Sequence, residues 1–397
     1  MTITLLILSG LYAAMTLALW WGWRSIPTTT RSVSQPTVHI SVVIPVRNEA
    51  RNLPLLLADL ARQSYPHFEV IVADDSSTDN TVAVVRQLAD GLPYTLTLLP
   101  LPDERTGAPK KRAIAQSIDI AKGELILTTD GDCRVGPDWL LSFATFYTQH
   151  HPKMMTGPVT FTSPPRINGI GQPSGARDNT SLTPEFIRGL FSQLQTVEFA
   201  SLIGSGAATL TLGTPTMCNG ANLCYEKRVF EEVNGFAGID HVASGDDELL
   251  MHKIAKRYPA QEGVLFLKNP AAIVHTAPHA SWRAFYNQRK RWASKWRAYD
   301  SWQPSALAVF VFLSNMAPVL AVLGGIADIV SGPMVLFIIG LKTAPEFLFL
   351  RAVLRFLQKN RAVRWIPITQ LLYPFYVLFF GLAAQKKGFI WKGRELK

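Results

Sequence analysis

The first pattern along the chain is an unbroken apolar run, Ile3 to Trp23, which spans 21 residues without a charge. As a helix it would reach about 31 Å, enough to cross the hydrocarbon core of a bilayer. No Lys or Arg precedes it, and Trp20, Trp21 and Trp23 crowd its end as an interfacial belt would. Both features favour an uncleaved anchor over a signal peptide, which has a basic start and a small-residue cleavage site. Arg24 and Arg31 follow and assign the C-terminal flank to the cytoplasm. Residues 1–27 are read as the anchor, and 28–37, a polar stretch between Pro27 and Pro36, as a linker.

The period then changes. His39 to Ile44 reads as a strand stopped by Pro45, and Glu49 to Gln63 as a helix with Leu53, Leu56, Leu57 and Leu60 on one face. Strands follow at Phe68–Ala73, Thr95–Leu99 and Glu124–Thr128, with helices at Thr81–Ala89 and Lys111–Ala121 between them. This alternation predicts an α/β domain, mainly a parallel sheet with helices on both faces, over residues 38–281. Ligands of such sheets gather at the carboxyl ends of the strands. Residues 160–185, rich in Gly, Pro, Ser and Asn, read as a mobile loop.

From 282 to 300 the pattern is amphipathic. Trp282, Phe285, Tyr286, Trp292, Trp296 and Tyr299 share one side, and Arg283, Lys290, Lys295 and Arg297 lie elsewhere. A helix lying among lipid headgroups is expected, with a buried amphipathic helix as the alternative. Three apolar segments complete a membrane region over 301–397, at about 306–330, 333–350 and 365–385. Lys342 and Glu346 in the second are one helical turn apart and should face protein, water or each other. The third carries Pro367 and Pro374. Basic residues crowd both 351–364 and 386–397, and both flanks would belong in the cytoplasm. The third segment is therefore expected to be re-entrant or a tight hairpin.

Composition agrees with a membrane protein: 48% of the 397 residues are apolar. The net charge of +10 is uneven, because residues 282–397 hold 17 Lys/Arg against 4 Asp/Glu. Basic charge beside apolar spans points to an anionic leaflet, and no nucleic-acid-binding signature accompanies it. Cys133, Cys218 and Cys224 form no CxxC pair and read as small buried hydrophobes.

The candidate chemistry lies at the strand ends. The first ends in Pro45-Val-Arg-Asn-Glu49, the second in Asp74-Asp75-Ser-Ser-Thr-Asp79, and the fourth in Asp130-Gly-Asp132. Two carboxylates directly after a buried strand repel each other unless a cation joins them. Mg²⁺ or Mn²⁺ suits such oxygen donors and takes its other ligands from phosphates. Asp74 or Asp75 could accept from a base N–H, and Asp79 would close the turn before the next helix. No phosphate-binding glycine loop occurs. Phosphates then fall to the metal and to cations, for which Lys110 and Arg291 are candidates.

Together the segments Ser41–Glu49, Val72–Asp79 and Thr129–Asp132 resemble the inverting family-2 glycosyltransferases. Further on, Asn219-Gly-Ala-Asn222 with Phe230 and Gly235-Phe236 is similar to the acceptor-side segment of that family. Ser244-Gly-Asp-Asp-Glu248 resembles its second acidic motif, although GDD replaces the commoner ED. Gln288-Arg-Lys-Arg-Trp292 resembles the QxxRW motif of its membrane-bound branch. The resemblance covers about 38–297. It implies a GT-A fold and a nucleotide-sugar donor. Within the nucleotide site, Asp75 would bind the base, with Asp74 as alternate, Glu49 would lie near the ribose, and Pro45 and Arg47 would flank them. Asp130 and Asp132 would bind diphosphate and metal. Asp247 would be the general base, with Asp246 beside it, and Gln288, Arg291 and Trp292 would close over the diphosphate and shape the acceptor site, near Asn219. The roles of His275 and His279 stay open.

The expected activity is transfer of one sugar, from a UDP-sugar, to a lipid or lipid-linked acceptor. A short match at Trp391-Lys-Gly-Arg394 to ceramide glucosyltransferase-like enzymes adds to this. The expected place is a multi-pass membrane protein with a cytoplasmic catalytic domain. A processive polysaccharide synthase is the first alternative, and a catalytically dead nucleotide-binding scaffold the second.

Overall fold

A computed structural model describes residues 1–28, 36–103, 107–162, 184–260, 262–293, 303–383, 389–391 and 394–396. The expectations for Arg31, Lys295, Trp296, Arg297 and Tyr299, and for most of the 160–185 loop, lie outside them.

The strands are β1 (Ile40–Val46), β2 (Phe68–Asp74), β3 (Thr95–Pro100), β4 (Leu125–Thr128), β5 (Met154–Thr156), β6 (Val159–Phe161), β7 (Leu223–Glu226), β8 (Val264–Phe266), β9 (Val274–Thr276), β10 (Phe389–Trp391) and β11 (Arg394–Leu396). The helices are α1 (Thr2–Ser25), α2 (Leu53–Leu60), α3 (Thr81–Ala89), α4 (Pro109–Ile120), α5 (Trp139–His150), α6 (Pro184–Thr211), α7 (Lys227–Glu232), α8 (Glu248–Arg257), α9 (Trp282–Ala293), α10 (Gln303–Ile326), α11 (Gly332–Phe356) and α12 (Ile366–Ala383). The main sheet runs β3-β2-β1-β4-β7-β5-β8. It is parallel from β3 to β4, while β7 is antiparallel to both its neighbours. The expected α/β fold is present. Order reverses between β1 and β4, where crossovers to either side leave a crevice at the carboxyl ends.

Two boundaries differ from the sequence reading. β1 continues through Pro45 to Val46. Its pairing with β4 ends at Val43, so Pro45 lies beyond that ladder and its missing N–H costs no bond there. α2 begins at Leu53 rather than at Glu49. A helix from Glu49 would put Pro54 in its interior, whereas a start at Leu53 puts it in the first turn, where the absent N–H has no intrahelical role.

Among the described residues, four helices are long and apolar enough to cross a membrane: Thr2–Ser25, Ser305–Ile326, Gly332–Phe356 and Asn360–Ala383, the last including a 3-10 turn. Of the re-entrant path or tight hairpin expected at 365–385, the hairpin is not formed. Ile366–Ala383 is one helix that carries Pro374 inside it. A bend at that depth would expose backbone groups that a helix satisfies internally. Lys342 and Glu346 do face each other, at 2.9 Å, and Gln370 donates to the same carboxylate at 3.1 Å. Tyr12 of α1 also donates to Glu346. Four polar groups from three helices thus satisfy one another within the apolar bundle.

The anchor is not only an anchor. Trp23, assigned to an interfacial belt by sequence, is 2% exposed and packs on Phe266 at 6.0 Å and Phe356 at 5.3 Å between ring centroids. Lys268 donates to its carbonyl. The end of α1 is therefore part of the α/β core. α6, which the sequence reading missed, packs against both α1 and α11. Burial on several faces removes the single apolar stripe that marks a surface helix.

Candidate active site

The strand order decides which residues meet. β7 runs antiparallel to β4 with Leu223 opposite Thr128. The segment before β7, Asn219 to Asn222, thereby reaches the edge where Asp130 follows β4. β5 pairs beside β7 with Thr156 opposite Leu223, which brings Gly157 to the same edge. Asn222 is fully buried there. It donates through Nδ2 to the carbonyls of Pro158 and Ala272, both at 2.9 Å, and accepts from Trp139 Nε1 at 3.0 Å. A Cβ on Gly157 would lie 2.2 Å from Asn222 Nδ2, so only glycine fits this approach.

A cavity of about 550 Å³ opens beyond this edge. Lys110, Asp130, Asp132, Asn219, Asp246 and Asp247 line its polar side. Gln288, Arg291 and Trp292 of α9 line it as well, and residues of α6 such as Phe199, Leu202 and Ile203 form an apolar wall. Lys110, Arg291 and the acids of the Asp130-Gly-Asp132 and Asp246-Asp247 motifs therefore share one cavity. Cys133 and Cys218 also line it, and Cys218 is only half-buried, unlike the hydrophobe expected there.

Lys110 joins the clusters. Its ammonium lies 2.8 Å from Asp130 Oδ1 and 3.1 Å from Asp246 Oδ2. Burial opposes its charge, but the two carboxylates outweigh burial and raise its proton affinity above the ordinary lysine value. α4 opens with Pro109, and its next three residues fan out at about 100° each. Lys111 donates to the carbonyls of Ile239 and Val242, and Arg112 pairs with Asp75 at 3.0 Å. Sequence reasoning found Lys110 but not Arg112, although both belong to one basic run.

Gly245 has φ +81°, a left-handed turn that leads into the acidic pair. Asp247 then caps α8: its Oδ1 accepts from Glu248 N at 2.7 Å and its Oδ2 from Gly220 N at 3.0 Å. Asp247 thus caps a helix and lines the cavity at once.

Pro45, Arg47, Glu49, Asp74 and Asp75 are not on that cavity wall. They lie at the neighbouring ends of β1 and β2, where two loops interlock. Arg47 Nη1 donates to the carbonyls of Asp75 and, at 2.8 Å, Ser76. Asp74 Oδ2 accepts from Ser77 N at 3.0 Å. Asp79 accepts from Thr81 N at 3.0 Å and Ala50 N at 3.2 Å. Burial opposes its ionisation, but these bonds prevail and hold its carboxyl below the usual range. Glu49 connects the two regions, since a Cβ on Gly131 would meet its side chain at 3.1 Å.

The aromatic side of α9, expected among headgroups or alternatively buried, packs in part on protein. Phe285 is buried against Phe191 of α6 and Phe380 of α12, and Tyr286 packs on Phe379. The aromatic side faces two helices because their own rings fill it, while Trp282 stays exposed. Trp292 stacks on Phe199, which stacks on Phe161. His279 lines the cavity and meets Gln288, whereas His275 sits behind it, its backbone paired with that of Arg134.

Burial lowers the proton affinity of both imidazoles, with Lys359 adding to the effect on His275 and Arg289 to that on His279. The unfolded chain then binds more protons than the folded one below about pH 6.5, so folding stability should fall as pH drops through that value and on to the lowered ones. Thermal melts from pH 7.5 to 5 check this, with His275→Asn/His279→Asn expected to flatten the acid side.

Comparison with known proteins agrees with this architecture. Residues 41–195 match the model for glycosyl transferase family 2, and residues 125–384 match that for glycosyl transferase family group 2. Poly(ribitol-phosphate) beta-N-acetylglucosaminyltransferase TarS of Staphylococcus aureus is 31% identical over 146 residues, which is 36% of this chain and 24% of TarS. Beta-monoglucosyldiacylglycerol synthase of Nostoc sp. is 32% identical over 104 residues, 26% of this chain and 22% of that protein. The chain thus spans about a quarter of the length of these relatives. The mannosyltransferase PcManGT from Pyrobaculum calidifontis, solved with GDP-Man and Mn²⁺, shares the fold over 93% of this chain and 98% of its own, with a TM-score of 0.54 at 19% identity. The second family model runs from β4 through the cavity to the end of α12, and the chain belongs to the family-2 glycosyltransferases.

Proposed function

We propose that this glycosyltransferase moves one sugar from a UDP-sugar to a lipid or lipid-linked hydroxyl at the cytoplasmic face of a membrane. The observation that carries the reading is the Lys110 bridge between Asp130 and Asp246, which joins the donor-side and acceptor-side acids in one cavity walled by α6 and α9. Asp75, with Asp74 as alternate, is assigned to the base, Glu49 to the ribose, and Pro45 and Arg47 to the loop that frames them. Arg112 sets the angle of the Asp75 carboxylate.

Asp130 and Asp132 offer hard oxygen donors on the cavity wall, which suits Mg²⁺ or Mn²⁺. No group of three His, Cys, Asp or Glu side chains able to hold a metal occurs among the described residues, so the fit is to an ion shared with phosphate rather than to a closed protein cage. Bound there, the ion supplies positive charge against the leaving diphosphate. Lys110 and Arg291 add cationic charge at the same edge, and Gln288 and Trp292 close the α9 side. Asp247 takes the acceptor's hydroxyl proton, on the face opposite the leaving group that inversion requires. Asn219, which pins the turn beside it through Ala221 N, shapes the acceptor entrance. The four apolar helices and the likeness to a beta-monoglucosyldiacylglycerol synthase support a multi-pass membrane protein.

The test is the full chain in membranes, a panel of labelled nucleotide-sugars and a lipid extract, read by mass spectrometry. One lipid should gain the mass of one sugar. A long polymer would replace this reading with the synthase, and intact donor under every condition would favour the scaffold. Chelation should lower transfer at least about tenfold, with Mn²⁺ or Mg²⁺ restoring it.

A further inference from the structure

Glu198 is a buried acid that the transfer mechanism does not use. It lies midway along α6 and is 6% exposed. Its two oxygens grip Arg289 of α9 as a fork: Nε donates to Oε1 at 2.9 Å, and Nη2 donates to Oε2. Tyr376 of α12 donates to the same Oε1 at 2.8 Å. Arg289 is 3% exposed, and its guanidinium sits 4.6 Å from the ring centre of Phe285 and 4.3 Å from that of Trp292. Its remaining nitrogen, Nη1, donates to Gln288 Oε1 at 2.9 Å. One turn away on α6, Gln195 exchanges two bonds with the backbone of His279, at 3.0 and 3.1 Å. Thus α6 holds the entrance to α9 and the middle of α9 at two separate points.

Stability alone does not account for this arrangement. A buried ion pair is often matched or bettered by apolar side chains of similar volume. What the fork adds is direction, because two parallel bonds fix the roll of α9 about its axis and a greasy contact does not. Roll matters here. A rotation of about 20° would carry a side-chain tip about 2 Å at the radius of a helix surface. Gln288, Arg291 and Trp292, which line the cavity, would all move with it.

We propose that Glu198, Arg289 and Tyr376 form a positioning lock that sets the roll of α9 against the apolar helix α12 and so aligns the acceptor for transfer. The lock rests on the transferase reading above. It makes α12 part of the acceptor site without touching the acceptor: the Tyr376 hydroxyl reports the position of α12 to Glu198, and Arg289 passes it to Gln288 and Trp292.

Two variants of the full-length chain, assayed in lipid nanodiscs, test it. Tyr376→Phe keeps the ring and deletes one bond. It should raise the KM for the lipid acceptor or lower its kcat/KM about tenfold, with the donor KM within about twofold of wild type. Glu198→Leu/Arg289→Met removes the pair but keeps the volume. Its melting temperature should stay near that of wild type, because the gain from apolar side chains offsets the orphaned Tyr376 hydroxyl, while acceptor turnover falls further than in Tyr376→Phe. Wild-type acceptor kinetics in the double variant would overturn the lock, as would equal losses for donor and acceptor in Tyr376→Phe. A wild-type chain that transfers no sugar to any lipid would overturn the underlying reading and the lock with it. Wild-type transfer together with unchanged Tyr376→Phe kinetics would overturn the lock alone.

Discussion

Asp247→Asn should cut sugar transfer by about 10²- to 10⁴-fold, the usual worth of a positioned general base, while the chain stays folded. The folding half of this expectation follows from the cap. Asparagine serves as an N-cap about as well as aspartate, and its amide oxygen can keep the 2.7 Å bond from Glu248 N. The second bond, from Gly220 N, is lost because the new Nδ2 is itself a donor, at a cost of about 1–3 kcal/mol. That shifts a melting curve without emptying the folded state. The catalytic half follows from the amide, which cannot accept the hydroxyl proton. Asp246→Asn is the control, since it keeps Asp247 and leaves Lys110 with Asp130 as a carboxylate partner. Its loss should be smaller. Initial rates with labelled donor, paired with circular-dichroism melts, decide between the two acids. An active Asp247→Asn chain beside a dead Asp246→Asn chain would transfer the role to Asp246.

The second large effect concerns folding. Asn222→Ala should destabilise the chain by about 3–5 kcal/mol, because the truncation strands three buried partners at once. The Trp139 indole N–H and the carbonyls of Pro158 and Ala272 all depend on this one amide. Each orphaned group costs about 1–3 kcal/mol in a dry site, and a water entering the new space would return part of it. Against a usual total of about 5–15 kcal/mol, this loss is roughly a fifth or more of the margin. Chemical unfolding of the detergent-solubilised protein measures it. A change below about 1 kcal/mol would mean that water replaces the amide in full.

Much of the α/β half was legible in the chain because its signals are local. Strand period, turn residues and acids directly after apolar runs put the clusters of β1, β2 and β4 on one edge. The convergence of Asn219 and Asp247 on that edge was not legible, since it depends on β7 running antiparallel beside β4. α2 could have been read correctly, because Pro54 marks the first turn of a helix. α6 could not, because it is covered on several sides and shows no single stripe. The Glu198–Arg289 pair joins residues 91 positions apart, which no spacing rule reaches. The re-entrant or hairpin reading of 365–385 came from charge counting alone. That rule weighs flanking basic residues and is blind to the backbone bonds that keep Ile366–Ala383 a single helix.

On the proposed lipid-acceptor reading, the seating of Trp23 between Phe266 and Phe356 bears on substrate choice. With the end of α1 wedged into the sheet domain, the catalytic half cannot rise or tilt on a slack tether. In a bilayer the acids would stand at one fixed elevation, and the protein would work as a depth gauge. Lipids would be sorted by whether their hydroxyl sits at that elevation, before any contact with the headgroup itself.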